Sequence, residues 1–137
     1  MAIENNLILM VASVAVASIL ALACKLALYC IKERKISWRA IFRAMLTGGA
    51  PSSHSAFSAS LATSVFLIEG FSLIFLVTLG FALVIVYDAF ATRANIDRNF
   101  RQLDKSQKMR RIGHTFYEAV AGVIIGIIAP VILFLIF

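Results

Sequence analysis

Eight polar or ionisable side chains sit at the edges of apolar runs: Lys25, Ser52, Ser53, His54, Asp88, Arg93, His114 and Glu118. Ionisable groups at membrane depth are costly, and by default they mark function. His114 and Glu118 stand four residues apart, which on a helix puts them on one face. A carboxylate on one imidazole nitrogen fixes the tautomer and steadies the imidazolium, leaving the other nitrogen to attack or take a proton. His54 follows Gly48-Gly49-Ala50-Pro51-Ser52-Ser53. Glycine lets backbone approach a ligand closely, and Pro51 suits a first helical turn. A helix starting there turns free N–H groups and a positive dipole end towards an anion. Ser52 and Ser53 add hydroxyl donors, and His54 adds a group that titrates near neutral pH. Two histidines on separate helix starts, with a lysine and an arginine, suit phosphoryl transfer through a phosphohistidine.

Each feature taken singly has a plainer reading. Lys25 can snorkel to the headgroups, Arg93 can be one more cytoplasmic cation, and His54 can be incidental to a capped helix start. His114 and Glu118 can be an interfacial pair. Two histidines with no cysteine nearby do not match zinc spacing. Asp88 and Glu118 as a magnesium cage would be poorly specified, so no metal and no cofactor are expected. Asp88 needs a partner at its depth, and Lys25 or Arg93 would serve. Cys24 and Cys30 lie six apart in one apolar segment, on different helix faces, and read as packing residues.

The elements that carry these groups are apolar. Of 137 residues, 61% are hydrophobic and 15% charged, against about 25% charged in an average soluble domain. Four runs emerge, at about 7–31, 55–68, 71–92 and 119–137. A span needs about 20 residues, so the second is short unless its helix begins at Pro51 or Ser52. The first run is too long for a secretory h-region and lacks a positive n-region. Only Glu69 and Gly70 part the second and third runs, which predicts a tight helical hairpin.

The net charge of +6 is concentrated in two stretches. Residues 32–50 hold five cations against Glu33, and residues 93–111 hold seven against Asp97 and Asp104. Positive loops mark the cytoplasmic side, so both stretches face inward and both termini outward. Because this charge lies between apolar runs, the expected partners are anionic lipid or phosphate and the bilayer, not nucleic acid. Trp38, Ile41, Phe42 and Met45 have helical spacing, and residues 37–46 read as a short amphipathic helix on the inner surface.

The segments Gly48-Gly49-Ala50-Pro51-Ser52-Ser53-His54-Ser55-Ala56, Tyr87-Asp88-Ala89 and Gly113-His114-Thr115-Phe116-Tyr117-Glu118 together resemble the divergent type 2 phosphatidic acid phosphatase family. That family is related to acid phosphatases and vanadium-dependent haloperoxidases. The resemblance runs from about Lys25 to Gly126. It implies that Lys25 matches the lysine of the first superfamily motif, His54 the histidine of the second, and His114 that of the third. Arg93 matches the arginine that follows Tyr-Asp-Ala. Ser53 stands where the second motif has glycine, Glu118 replaces an aspartate, and no Ser-Arg pair directly precedes His114.

The expectation is one domain over 1–137, an all-α integral membrane protein of about four transmembrane helices plus the interfacial helix. Its expected activity is that of a metal-independent lipid phosphate phosphatase at the cytoplasmic face of a bacterial inner membrane. His114 is the nucleophile, Glu118 orients it, and His54 is the general acid. Lys25, Arg93, Gly49, Ser52, Ser53 and Asp88 form the phosphate-binding set. Phosphatidylglycerophosphate or phosphatidate is the expected substrate. A polyprenyl diphosphate is the alternative, as is a non-catalytic transporter or assembly subunit, although a transporter would need an ionisable residue near mid-span. Small residues Ala56, Ala59, Ala62, Gly122 and Gly126 predict close helix approach and a homodimer.

Overall fold

Apolar runs of this length can cross a bilayer only if their backbone groups are satisfied internally, which for a single segment means a helix. The structure, a computed structural model, describes residues 2–33, 42, 49–93, 95–96 and 114–137. Among these, all regular structure is helical. Helix α1 spans Ala2–Glu33, α2 Ser53–Glu69, α3 Leu73–Tyr87 and α4 Phe116–Ile136, and a π-helical turn, Asp88–Thr92, prolongs α3. Three segments are long and apolar enough to cross a membrane: Glu4–Ile31, Leu73–Thr92 and Phe116–Ile136. The protein is an all-α membrane protein. Apart from Phe42, which is helical and exposed, the amphipathic helix expected at 37–46 lies outside the described residues, as does most of the second basic stretch.

Helix α2 has 17 residues, about 25 Å at 1.5 Å per residue. It is also the centre of the bundle, packing against α1, α3 and α4. Its composition explains this. Ser55, Ser58, Ser60 and Ser64 alternate with Ala56, Ala59 and Ala62, and all are buried. In lipid, small residues win the interior because they let helices approach closely. The hydroxyls of Ser60 and Ser64, and of Ser13 on α1, are buried and find no hydrogen-bond partner among the described residues.

Helices α2 and α4 approach each other closely. A Cβ on Gly122 would collide with the Ser52 carbonyl oxygen, and one on Gly126 would lie 2.8 Å from Ala59 Cβ. The GxxxG of α4 is therefore a packing face. The hairpin between α2 and α3 forms as expected. Gly70 takes φ 66°, a region that favours glycine, and its N–H donates to the Phe66 carbonyl at 2.9 Å. The Ser72 hydroxyl then caps α3 by accepting from the Phe75 N–H at 3.2 Å.

Candidate functional site

The end of the bundle remote from the hairpin gathers residues from α1, the start of α2, the π turn and the approach to α4. Each arrives by a local device. Pro51 precedes the cap rather than opening the helix. Ser52 is the N-cap, and its hydroxyl accepts from the Ser55 N–H at 3.3 Å and from the Ser55 hydroxyl at 3.0 Å. Ser52 is fully buried, and its N–H donates to the Glu118 carbonyl at 2.9 Å. Its groups thus join α2 to α4. Ser53 is half-buried at the first helical position, and His54 follows it with its side chain exposed. His54 lies within electrostatic reach of Arg93, Lys25 and Asp88.

The start of α4 differs from expectation. His114 is not helical and does not share a helix face with Glu118. Thr115 takes the N-cap and closes a capping box: its hydroxyl accepts from the Glu118 N–H at 3.3 Å, and its own N–H donates to Glu118 Oε2 at 2.7 Å. A Thr-x-x-Glu sequence is the signature of this motif, so Thr115-Phe116-Tyr117-Glu118 carried a signal that the spacing argument passed over. The pair still meets, with His114 Nδ1 3.7 Å from Glu118 Oε2, beyond hydrogen-bond length. The short partner of Nδ1 is the Gly49 N–H, at 3.3 Å.

His114 is buried, with 5% exposure, and its N–H donates to the Ala89 carbonyl at 2.9 Å. That bond ties the approach to α4 onto the π turn. Burial and then the Lys25 charge push the His114 pKa down to about 4, with the Glu118 charge opposing. Its imidazole is neutral at pH 7. Lys25, on α1, is 6% exposed. Its side chain lies along Gly49, where a Cβ would come 3.3 Å from Lys25 Cε. Within electrostatic reach of Lys25 are both Glu118 and His114.

The π turn explains Asp88 and Arg93. The Arg93 N–H bonds to the Asp88 carbonyl in the i→i+5 register, which stacks one residue over the other. Arg93 Nε donates to Asp88 Oδ2 at 2.8 Å. Arg93, not Lys25, is therefore the hydrogen-bonded partner of Asp88. Single π turns inside longer helices are frequent at functional sites. Asp88 is bonded by Arg93, and Glu118 by the Thr115 N–H. Among the described residues, no three His, Cys, Asp or Glu side chains converge on one point.

Lys25, Gly49, His54, Arg93, His114 and Glu118 thus share one end of the bundle. The arrangement offers a neutral imidazole beside a buried cation, with a second imidazole and a guanidinium nearby. Anionic groups are the ligands such a set favours. Fold and site together define a helical membrane protein with a cationic, two-histidine site at one end.

The chain belongs to the divergent PAP2 family, whose model matches residues 4–129. That match covers every candidate site residue and places the protein within a phosphatase-related superfamily. No curated protein and no solved structure matches the chain.

Proposed function

We propose that the protein is a metal-independent phosphatase of membrane lipid phosphates, working through a phosphohistidine. The observation that carries this reading is His114, a buried neutral imidazole whose Nδ1 accepts from the Gly49 N–H and lies 3.7 Å from Glu118 Oε2, with Lys25 alongside. Nε2 is the nitrogen that attacks, once substrate binding has drawn the Gly49 N–H away and the ring proton has moved from Nε2 to Nδ1.

Its lone pair forms the P–N bond as the P–O bond to the lipid breaks. His54 gives its proton to the departing oxygen. Water then attacks the phosphohistidine, His54 takes that proton, and the P–N bond breaks to release phosphate. Lys25, Arg93 and the Gly49 backbone hold the equatorial oxygens, where positive groups lower the barrier to transfer. Asp88 keeps Arg93 in place. Glu118 accepts a hydrogen bond from the Nδ1–H that the attacking histidine carries. Phosphatidylglycerophosphate and phosphatidate, both presented at the cytoplasmic face, are the substrates proposed.

The test is phosphate release by purified protein in detergent from phosphatidylglycerophosphate, phosphatidate, a polyprenyl diphosphate and an aryl phosphate, with and without a chelator. Chelator-resistant hydrolysis of a lipid monoester supports the proposal. Hydrolysis that the chelator abolishes, or none from any substrate, overturns it.

A further inference from the structure

Helices α3 and α4 both lean on α2 but make no extended contact with each other. The space left over α2 is a groove of about 470 Å³. Ala62 and Ala82 lie in its depth, both buried, while Phe66, Leu83 and Ile127 stand exposed at its rim. Thr63 contributes the one polar side chain of its wall. Phe66 and Phe75 close the hairpin end with rings 5.0 Å apart. At the other end the wall reaches Val86 and Val123. Val86 is two residues from Asp88, and Val123 lies five beyond Glu118. The groove therefore runs from the hairpin to the edge of the cationic site.

We propose that this groove seats one acyl chain of the substrate lipid while its phosphate lies among His114, Lys25 and Arg93. The proposal rests on the phosphatase reading for its headgroup. Two observations select this occupant. The wall is apolar and opens beside helices that cross the bilayer. It ends at a cluster whose charge complements a phosphate.

Two experiments test it. Leu79→Trp and Val123→Trp fill the groove from half-exposed wall positions outside the site. Each should raise KM for a long-chain phosphatidate by about tenfold or more, the scale set by losing an apolar contact, while an aryl phosphate is turned over as before. An equal change for both substrates, or for neither, overturns the acyl site.

The second experiment needs no turnover. A phosphatidate with a mid-chain diazirine, in phosphatidylcholine vesicles, should label Leu83 and Ile127. Unlabelled phosphatidate should compete, and added phosphatidylcholine should not. Labelling spread evenly over the outer faces of α1, α3 and α4 overturns the proposal. So does protection of the groove by a dimer that the tryptophan variants dissociate. Hydrolysis without groove labelling sinks the acyl site alone, and labelling without hydrolysis sinks the phosphatase reading alone.

Discussion

The backbone N–H of Gly49 donates to Nδ1 of His114 at 3.3 Å, across 65 residues of sequence. An imidazole nitrogen that accepts a hydrogen bond carries no proton, so in the neutral ring the proton sits on Nε2. That tautomer cannot attack through Nε2. A phosphate that drew the Gly49 N–H onto one of its oxygens would free Nδ1 to take the proton and turn it towards Glu118, 3.7 Å away. Nitrogen-15 NMR of labelled histidine should show His114 as the Nε2–H tautomer at rest and as Nδ1–H with vanadate bound. An Nδ1–H tautomer in the free protein would refute the coupling.

The two histidines should separate by leaving group. A nucleophile is required for every substrate, whereas a general acid matters most for a poor leaving group such as a lipid alkoxide. His114→Ala should abolish turnover of lipid and aryl phosphates alike. His54→Ala should lose roughly 10²–10⁴-fold with lipid, the usual scale of general acid catalysis, and less in single-turnover release of a phenol. Glu118→Gln should fall between. If His114→Ala stays active while His54→Ala releases no phenol, the roles are reversed.

Burial of His114 should also be visible in stability. Its pKa lies at about 4 in the folded protein and near 6.5 when unfolded. The unfolded chain therefore binds a proton first as pH falls. The contribution of this site is complete above pH 6.5, declines between 6.5 and about 4, and is then level. The full loss is about 3 kcal/mol at most. Melting in detergent from pH 7.5 to 4 should show the decline in the wild type and a flatter profile in His114→Gln. Matching profiles would remove the effect from this residue.

The α2–α4 contact predicts opposite outcomes for two kinds of small residue. Gly126→Val puts a branched side chain where a single Cβ already lies 2.5 Å from the Ala56 carbonyl oxygen. It should destabilise by several kcal/mol, beyond the usual ~1–3 for overpacking, because backbone cannot move aside. Ser60→Ala and Ser64→Ala remove buried hydroxyls that have no partner among the described residues. These should be neutral or stabilising by up to about 1 kcal/mol. Thermal unfolding of the three variants decides, and a stable Gly126→Val would contradict the packing.

Orientation rests on the basic stretches 32–50 and 93–111. Single cysteines at positions 69 and 104, in a background lacking Cys24 and Cys30, can be probed on intact cells with an impermeant reagent. Position 69 should react and position 104 should not. The reverse pattern would put the site on the outer face and remove the inner-leaflet substrates.

The hairpin at Glu69 and Gly70 was legible because a turn between two apolar runs is local chemistry: a glycine with positive φ, then a serine cap. The helical membrane class was legible for the same reason, since long apolar runs have few ways to satisfy their backbone. So was the gathering of Lys25, His54, Arg93 and His114 at one level, because hydropathy places charges at the ends of spans. What periodicity misjudged was the start of α4. There the Thr115 cap outcompeted His114 for the helix terminus and drew Glu118 into a box with the backbone.

Other relationships required the tertiary structure. Gly49 reaches His114 only because Ser52 bonds the Glu118 carbonyl and Gly122 admits the Ser52 backbone, so that α2 and α4 start side by side. The pairing of Asp88 with Arg93 depends on a π turn that no hydrophobic period encodes. Residue types and spacing determine which chemistry is available. Which nitrogen faces which donor is set by contacts between segments far apart in the chain, and those exist only once the helices have packed.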